Sequence, residues 1–482
     1  MFKNLVKLAL LIGAMAFIAI LFGGVATTSA DSPQAAPPTV VLPTPVKVRP
    51  TPTKAPAAPT GRGARGAFSY SAGFQVQNLS TSTANITITY YNQDGTVNTA
   101  PTDTIGASSS KTYYPIHPAA SFNGSVVLSS DQPVVAVVNV LGSGGNGAGA
   151  AYDAATQGGT TASLPLLMKG NYGYNTWFNV QNTGTTDASV SVTYSDGTTA
   201  GPHTVKPGAA RTYDQSTETH SAAVFSASVS GGGQPIAAAV IEENTTTMFA
   251  YSGFAGGATN PVMPLVNANN YGYVTGVQIM NIGGSATDVT VSYTPSTAGA
   301  ACTETQNVPA GQSKTFALNA FTYTPQTPGT TCALGATFVG SARVTTNSAS
   351  QNLVAIVNQV LTTGANGEAY NGFNPTSATN KVLLPLIMDR NYGWLTGFNV
   401  MNVGTGSTTV TCTFTGTSYT ASGTLAAGAA LTDVQDGKIA SGYVGSATCT
   451  ASSSGDKIVG VVNEVNVSGV GDQLLVYEGF NQ

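Results

Sequence analysis

Three short aromatic turns are the part of this chain best suited to touching another molecule. Asn171-Tyr-Gly-Tyr174, followed by Trp177, recurs as Asn270-Tyr-Gly-Tyr273 and as Asn391-Tyr-Gly-Trp394. Tyrosine and tryptophan combine a rigid apolar face with a polar edge, and beside asparagine they could stack on sugar rings or dock a partner. Tyr172, Tyr174, Trp177, Tyr271, Tyr273, Tyr392 and Trp394 are therefore candidate ligand residues, or else residues that pack the joints between repeated units. The joint reading has support of its own, because the motif is missing from the first unit, which has no unit before it. Burial at the joints would remove the ligand reading.

Other chemistry is sparse. Glu242-Glu243 is the only adjacent acidic pair, and it reads as solvated charge at a strand end, not as the paired carboxylates of a glycosidase. Asp433 and Asp436, before Gly437, supply too few oxygens for calcium. His117, His203 and His220 are scattered, with no close-spaced Cys/His set to suggest a metal. Gly-x-Ser-x-Gly, His-Glu-x-x-His, phosphate-loop and dinucleotide fingerprints do not occur. The chain reads as a non-enzyme, with no catalytic residue, cofactor or metal expected.

The aromatic turns sit on a repeat. Phe74-Gln-Val-Gln-Asn78, Phe178-Asn-Val-Gln-Asn182, Val277-Gln-Ile-Met-Asn281 and Phe398-Asn-Val-Met-Asn402 open four units of about 100 residues, the mark of an array of one module. Period-two strands follow at Ile86-Thr-Ile88-Thr-Tyr90, Val190-Ser-Val192-Thr-Tyr194, Val289-Thr-Val291-Ser-Tyr293 and Val410-Thr-Cys412-Thr-Phe414, each buried on one face. Later come the apolar runs Val134–Asn139, Ile236–Ile241, Leu353–Asn358 and Ile458–Asn463. Three units close on Tyr251-Ser-Gly-Phe254, Tyr370-Asn-Gly-Phe373 and Tyr477-Glu-Gly-Phe480, with Tyr152 as a degenerate first copy. About seven strands and no helix per unit predict an all-β chain of four tandem antiparallel β-sandwiches of immunoglobulin type. Leu164-Pro-Leu166, Met263-Pro-Leu265 and Leu384-Pro-Leu386 leave almost no linker, so a semi-rigid rod is expected.

Only 8% of the 482 residues are charged, against about a quarter in ordinary soluble domains. Lys3 and Lys7 precede an uncharged stretch from Leu8 to Ala26, and small residues lie before Asp31. Residues 1–30 therefore read as a cleaved signal peptide or, alternatively, as an uncleaved anchor and the one membrane contact. Residues 31–66 carry nine of the 25 prolines and read as an extended, disordered linker. Within it, Thr39-Val-Val-Leu42 is too short and proline-bound to suggest a strand donated to a neighbour. The units span 67–163, 164–260, 261–382 and 383–482. They are net acidic and show no basic face, so nucleic acid is not an expected partner.

All four cysteines lie in the last two units. Cys412 takes the inward position of Ile88, Val192 and Val291, and Cys449 that of Leu128 and Val344, so both should face one core and a Cys412–Cys449 bridge would cross-link it. Cys302 and Cys332 bracket most of the extra sequence of the third unit, and a bridge there would pin it. Both fit an exported chain.

The string from Val180 through Asn182, Gly184, Val190, Val192 and Tyr194 to Asp196-Gly197, followed by Pro207-Gly208, resembles the Ig-like repeats of bacterial cell-surface proteins described as cell-adhesion-related domains. The third and fourth units lack the Asp-Gly turn. The resemblance implies a β-sandwich and surface placement, and transfers no binding residue. The expected function is an extracellular structural or adhesive stalk acting through repeated weak contacts. The alternative is an array of carbohydrate- or wall-binding modules, its partner a surface or wall component such as a polysaccharide.

Overall fold

The computed structural model describes residues 39–42, 68–117, 122–143, 147–318, 329–362, 366–467 and 471–482. The expected signal or anchor segment lies outside them, as does most of the expected linker. Pro37–Gln482 forms one compact unit. Among the described residues there are strands and turns and no helix.

Four antiparallel sandwiches follow one another. In the second, one layer holds Thr199–Val205, Ala188–Tyr194, Val224–Ser230 and Thr161–Asn171, in that order across the sheet. The other holds Ala210–Asp214, Tyr174–Asn182, Ile236–Glu243 and Met248–Ser252. In sequence terms the layers run 4-3-6-1 and 5-2-7-8, and the other three modules repeat that order. The second and third modules thus have eight strands, one more than the sequence suggested; the first splits its fourth strand into Val97–Thr99 and Thr102–Ile105, and the fourth adds Phe480–Asn481 beside its first strand. The pairing of second with fifth and of third with sixth is that of an immunoglobulin sandwich, whose layers are ABED and CFG. The first, fourth and seventh strands lie in the opposite layers from that arrangement, which leaves the eighth, closing strand at the edge of its sheet.

The first strands share one device. Those of the second, third and fourth modules have a bulge at the proline, between Leu164 and Leu167, Met263 and Val266, and Leu384 and Ile387. A bulge leaves backbone groups without a ladder partner. The closing-strand tyrosine fills the gap. Tyr251 donates its hydroxyl to the Leu166 carbonyl at 2.6 Å, Tyr477 does so to Leu386 at 2.6 Å, and Tyr370 bonds Leu265. The Tyr-x-Gly-Phe endings therefore return to the start of their own module, as the Ser163–Phe254 and Val262–Phe373 bridges also show.

Thr39–Leu42 is a strand, contrary to the linker expectation. It pairs with Gly124–Ser130 in the register Thr39↔Ser129 and Val40↔Leu128, which matches Thr161↔Ser230 and Ala162↔Val229. Thr39-Val-Val-Leu-Pro43 is the first module's copy of Thr161-Ala-Ser-Leu-Pro165 and Lys381-Val-Leu-Leu-Pro385. Residues 43–68 replace the aromatic turn that joins first to second strand elsewhere.

The rod expectation fails, because the modules close on themselves. The first core includes Trp177, Ile241 and Met248 of the second module, and the second core includes Ile356 and Ala369 of the third. The third core includes Val461 and Leu474 of the fourth, and the fourth includes Val137 and Ala151 of the first. The cause is visible in Ile236–Glu243, whose eight residues are all buried: strands of this layer pack on both faces. The rim repeats one contact. Ser125, Ser226 and Ser341 donate to the carbonyls of Gly208, Gly311 and Gly428 in the next module. Gly208 has φ +76°, and an added Cβ would lie 2.5 Å from the Tyr91 ring across the seam. The seam between fourth and first modules differs: Ser446 bonds Thr415 in its own module, and Gln482 reaches the Leu79 carbonyl at 2.9 Å.

Both disulfides form. Cys302 bonds Cys332, and Cys412 bonds Cys449, its register partner on the neighbouring strand of one layer, where both are fully buried in the fourth core.

Candidate ligand-binding site

Each Asn-Tyr-Gly segment is a tight turn between the first and second strands of its module. Tyr172, Tyr271 and Tyr392 have φ of 48°, 48° and 49°, and the glycines after them φ of 86°, 85° and 88°. Positive φ at both central residues is the type I′ hairpin turn, for which Asn-Gly is the usual choice. Paired bonds close the third- and fourth-module turns: Asn270 N–H to Tyr273 O at 3.1 Å with its reverse at 2.8 Å, and Asn391 with Trp394 at 2.9 Å both ways.

The seven aromatic candidates separate into three groups. Tyr172, Tyr271 and Tyr392 stand out from the turns, 82%, 94% and 68% exposed. Tyr174, Tyr273 and Trp394 are half-buried within their own modules. Tyr174 meets Phe249 edge-on at 5.5 Å, and the Tyr273 hydroxyl accepts from Asn366 at 3.2 Å. Burial raises the pKa of both phenols. Trp177 alone is a joint residue, buried against Tyr70 of the first module with ring centroids 5.6 Å apart. The motif as a whole thus does not pack the joints.

The three exposed tyrosines lie at one end of the ring. Thr362 N–H donates to Gly272 O at 2.8 Å and Val467 N–H to Gly393 O at 3.0 Å, so the third- and fourth-module turns abut the ends of their modules' seventh strands. The closing strands, Ala148–Asp153, Met248–Ser252, Gly367–Asn371 and Leu474–Glu478, come together at the centre. An L-residue held left-handed is about 1–2 kcal/mol less favourable than in its ordinary conformation. Three such tyrosines, exposed and equivalent, are not accounted for by packing.

The centre itself is acidic and buried. Glu368 accepts from the N–H groups of Ala151 at 2.7 Å, Ala250 at 2.8 Å and its own neighbour Ala369 at 2.8 Å, uniting three modules. Burial raises its pKa well above the carboxylate range, with these donors pulling the other way. Asp472 accepts from Met248 and Gly367, both at 3.0 Å, and burial pushes it up to about 8. After the closing tyrosines come Asp153, Ser252, Asn371 and Glu478. Ser252 Oγ donates to the Asp153 carbonyl at 2.6 Å, Ser252 N–H to Asn371 Oδ1 at 3.1 Å, and Asn371 N–H to Glu478. Burial, then the charge of Glu478, raises Asp153.

Glu242 and Glu243 correct the sequence reading of solvated charge. Both are buried; Glu242 accepts from Asn358 at 2.6 Å and is pushed up to about 8 by burial, and Glu243 accepts from the Tyr70 hydroxyl. The signal missed was position. Val140, Glu242, Gln359 and Glu464 are equivalents, each at the inward position two residues beyond Val138, Val240, Val357 and Val462, and such a residue points inward whatever its type.

The remaining polar candidates are structural. Asp433 accepts from Tyr419 Oη at 2.8 Å and Gln435 Nε2 at 2.8 Å, and it pairs with Lys438. His117 stacks on Phe122 at 4.5 Å and His220 on Phe225 at 4.0 Å, the same packing in two modules. Among the described residues, no group of three or more His, Cys, Asp or Glu is arranged to hold a metal. Compared with protein-family models and with curated proteins, the chain matches neither a family nor an individual protein.

Proposed function

We propose that this chain is a non-enzymatic, exported surface protein of structural or adhesive role, in which a ring of four sandwiches presents three tyrosines to a cell-surface or wall component. The observation that carries this reading is the set Tyr172, Tyr271 and Tyr392: left-handed, exposed and at one end of the ring. Each offers one weak stacking surface, and three on a common support raise avidity without a deep pocket. The occupant that best suits separated phenol rings beside asparagines is a repeating polysaccharide. The two disulfides fit a chain that matures in an oxidising environment. The resemblance to cell-adhesion-related Ig-like repeats agrees with the same role. Its earlier form as a stalk gives way, because the modules form a ring and not a rod.

The test is co-sedimentation of the exported chain with purified cell-wall material and insoluble polysaccharides, beside a Tyr172→Ala, Tyr271→Ala, Tyr392→Ala triple variant. These side chains support no core, so the variant is expected to fold and to lose pelleting. Equal pelleting by parent and variant would overturn the tyrosine site, and no pelleting by either would leave a purely structural ring.

A further inference from the structure

We propose that this chain joins to further copies of itself by exchanging the strand Thr39–Leu42. The strand occupies on Gly124–Ser130 the register that the first strands occupy in the other modules. Those others are held beside their partners by the short Asn-Tyr-Gly turns. Here residues 43–68 intervene before the second strand begins at Ser69. The first sandwich therefore takes one element from a distant stretch of chain, while both disulfides lie in the third and fourth modules.

Without that strand, Gly124–Ser130 becomes a sheet edge. Its Val126 and Leu128 are fully buried in the first core, and its unpaired backbone groups would template any strand of the right register. The strand that matches is the one every copy carries. Because the strand belongs to the same chain, its effective concentration is at most on the order of millimolar, so it closes on its own module in dilute solution and passes between copies when they are crowded. Exchange of an identical element between protomers requires no new surface. Copies held densely at a surface meet this condition, and reciprocal exchange gives dimers while head-to-tail exchange gives chains of rings.

The test uses paired cysteines at register partners, Thr39→Cys and Ser129→Cys; Ser129 is exposed, so its substitution disturbs no core. Both substitutions in one chain are expected to give an intramolecular cross-link. The two single variants, mixed and oxidised, are expected to give a covalent heterodimer whose yield rises roughly tenfold from about 10 to about 100 µM, below the effective concentration. Val97→Cys, exposed but away from the strand, replaces Ser129→Cys as the collision control and is expected to give none. Failure of the double variant to cross-link would overturn the strand's placement. A cross-linking double variant with no heterodimer from the mixture, or with as much heterodimer from the Val97 control, would overturn the exchange.

Discussion

Glu368 is the side chain on which ring closure most depends, and replacing it has a calculable result. Its Oε2 accepts the Ala151 N–H of the first module, and its Oε1 accepts Ala250 of the second together with Ala369 of its own. Glu368→Ala leaves three buried donors without acceptors. At about 1–3 kcal/mol for each orphaned group, the loss is about 3–9 kcal/mol, the scale of a whole domain's stability. Glu368→Gln grades the effect. The amide oxygen keeps Ala250 and Ala369, while the amide nitrogen confronts the Ala151 N–H, a loss of about 1–3 kcal/mol confined to one seam. The loss is confined to particular strands, so amide exchange, which reports local opening, is the better assay. By mass spectrometry of peptides covering 148–153 and 248–252, the Gln variant is expected to lose one to two orders of magnitude of protection in the first peptide only. The Ala variant is expected to lose it in both. An Ala variant with both peptides protected as in the parent would refute the role of Glu368.

Three further outcomes follow from the same geometry. Burial holds Glu242 and Glu464 at about 8 against an ordinary 4.5, so each binds its proton more tightly when folded. Their contribution is whole below about pH 4.5 and is lost as pH rises through about 8, at up to about 1.4 kcal/mol per pH unit for each. Thermal midpoints should fall from pH 5 to pH 8, Glu464→Gln should flatten the decline, and a flat parent profile would count against these assignments. Tyr271→Asn suits the left-handed turn better and should stabilise by about 0.5–1 kcal/mol while weakening co-sedimentation; a destabilised variant would mean the tyrosine serves the fold. Cys412→Ala with Cys449→Ala removes a bridge spanning 37 residues and should destabilise by about 4 kcal/mol, read as loss of exchange protection in the fourth module before the others.

Much of this architecture was legible from patterns of spacing. Alternating strands such as Val190–Tyr194 announced half-buried sheets, and the inward positions of Cys412 and Cys449 announced their pairing. The ring was encoded as well, in a contrast that is easy to pass over: the seventh strands open on unbroken runs of apolar residues or glycine, Val134–Val138, Ile236–Ile241, Leu353–Val357 and Ile458–Val462, where the third strands alternate. Ile236–Ile241 has no polar face to give to solvent, which requires a neighbour on its outer side. Thr39–Leu42 escaped because its proline-rich surroundings read as linker, although Leu42-Pro43 copies Leu164-Pro165. The candidate site was half legible. The Asn-Tyr-Gly motif stood out, but which of its aromatics face solvent depends on turn geometry, since a type I′ turn turns Tyr271 outward and sends Tyr273 back onto its own sheet.

The closing strands explain why four unequal modules form this ring. Each is a sheet edge whose outward N–H groups point at the centre, where water is excluded and an unmet donor is destabilising. Identical modules would place identical side chains there, and four identical acids would repel one another as four identical alanines would leave the donors unmet. The repeat is therefore broken where the strands meet: Ala150, Phe249, Glu368 and Leu475 stand at one level, and Asp153, Ser252, Asn371 and Glu478 at another. One carboxylate serves three strands at the first level, and unlike partners link hand to hand at the second. It follows that the modules are not interchangeable. A chain in which the third closing strand, Gly367–Asn371, replaced the first would bring a second buried glutamate against Glu368, and should close only at a pH low enough to protonate one of the two.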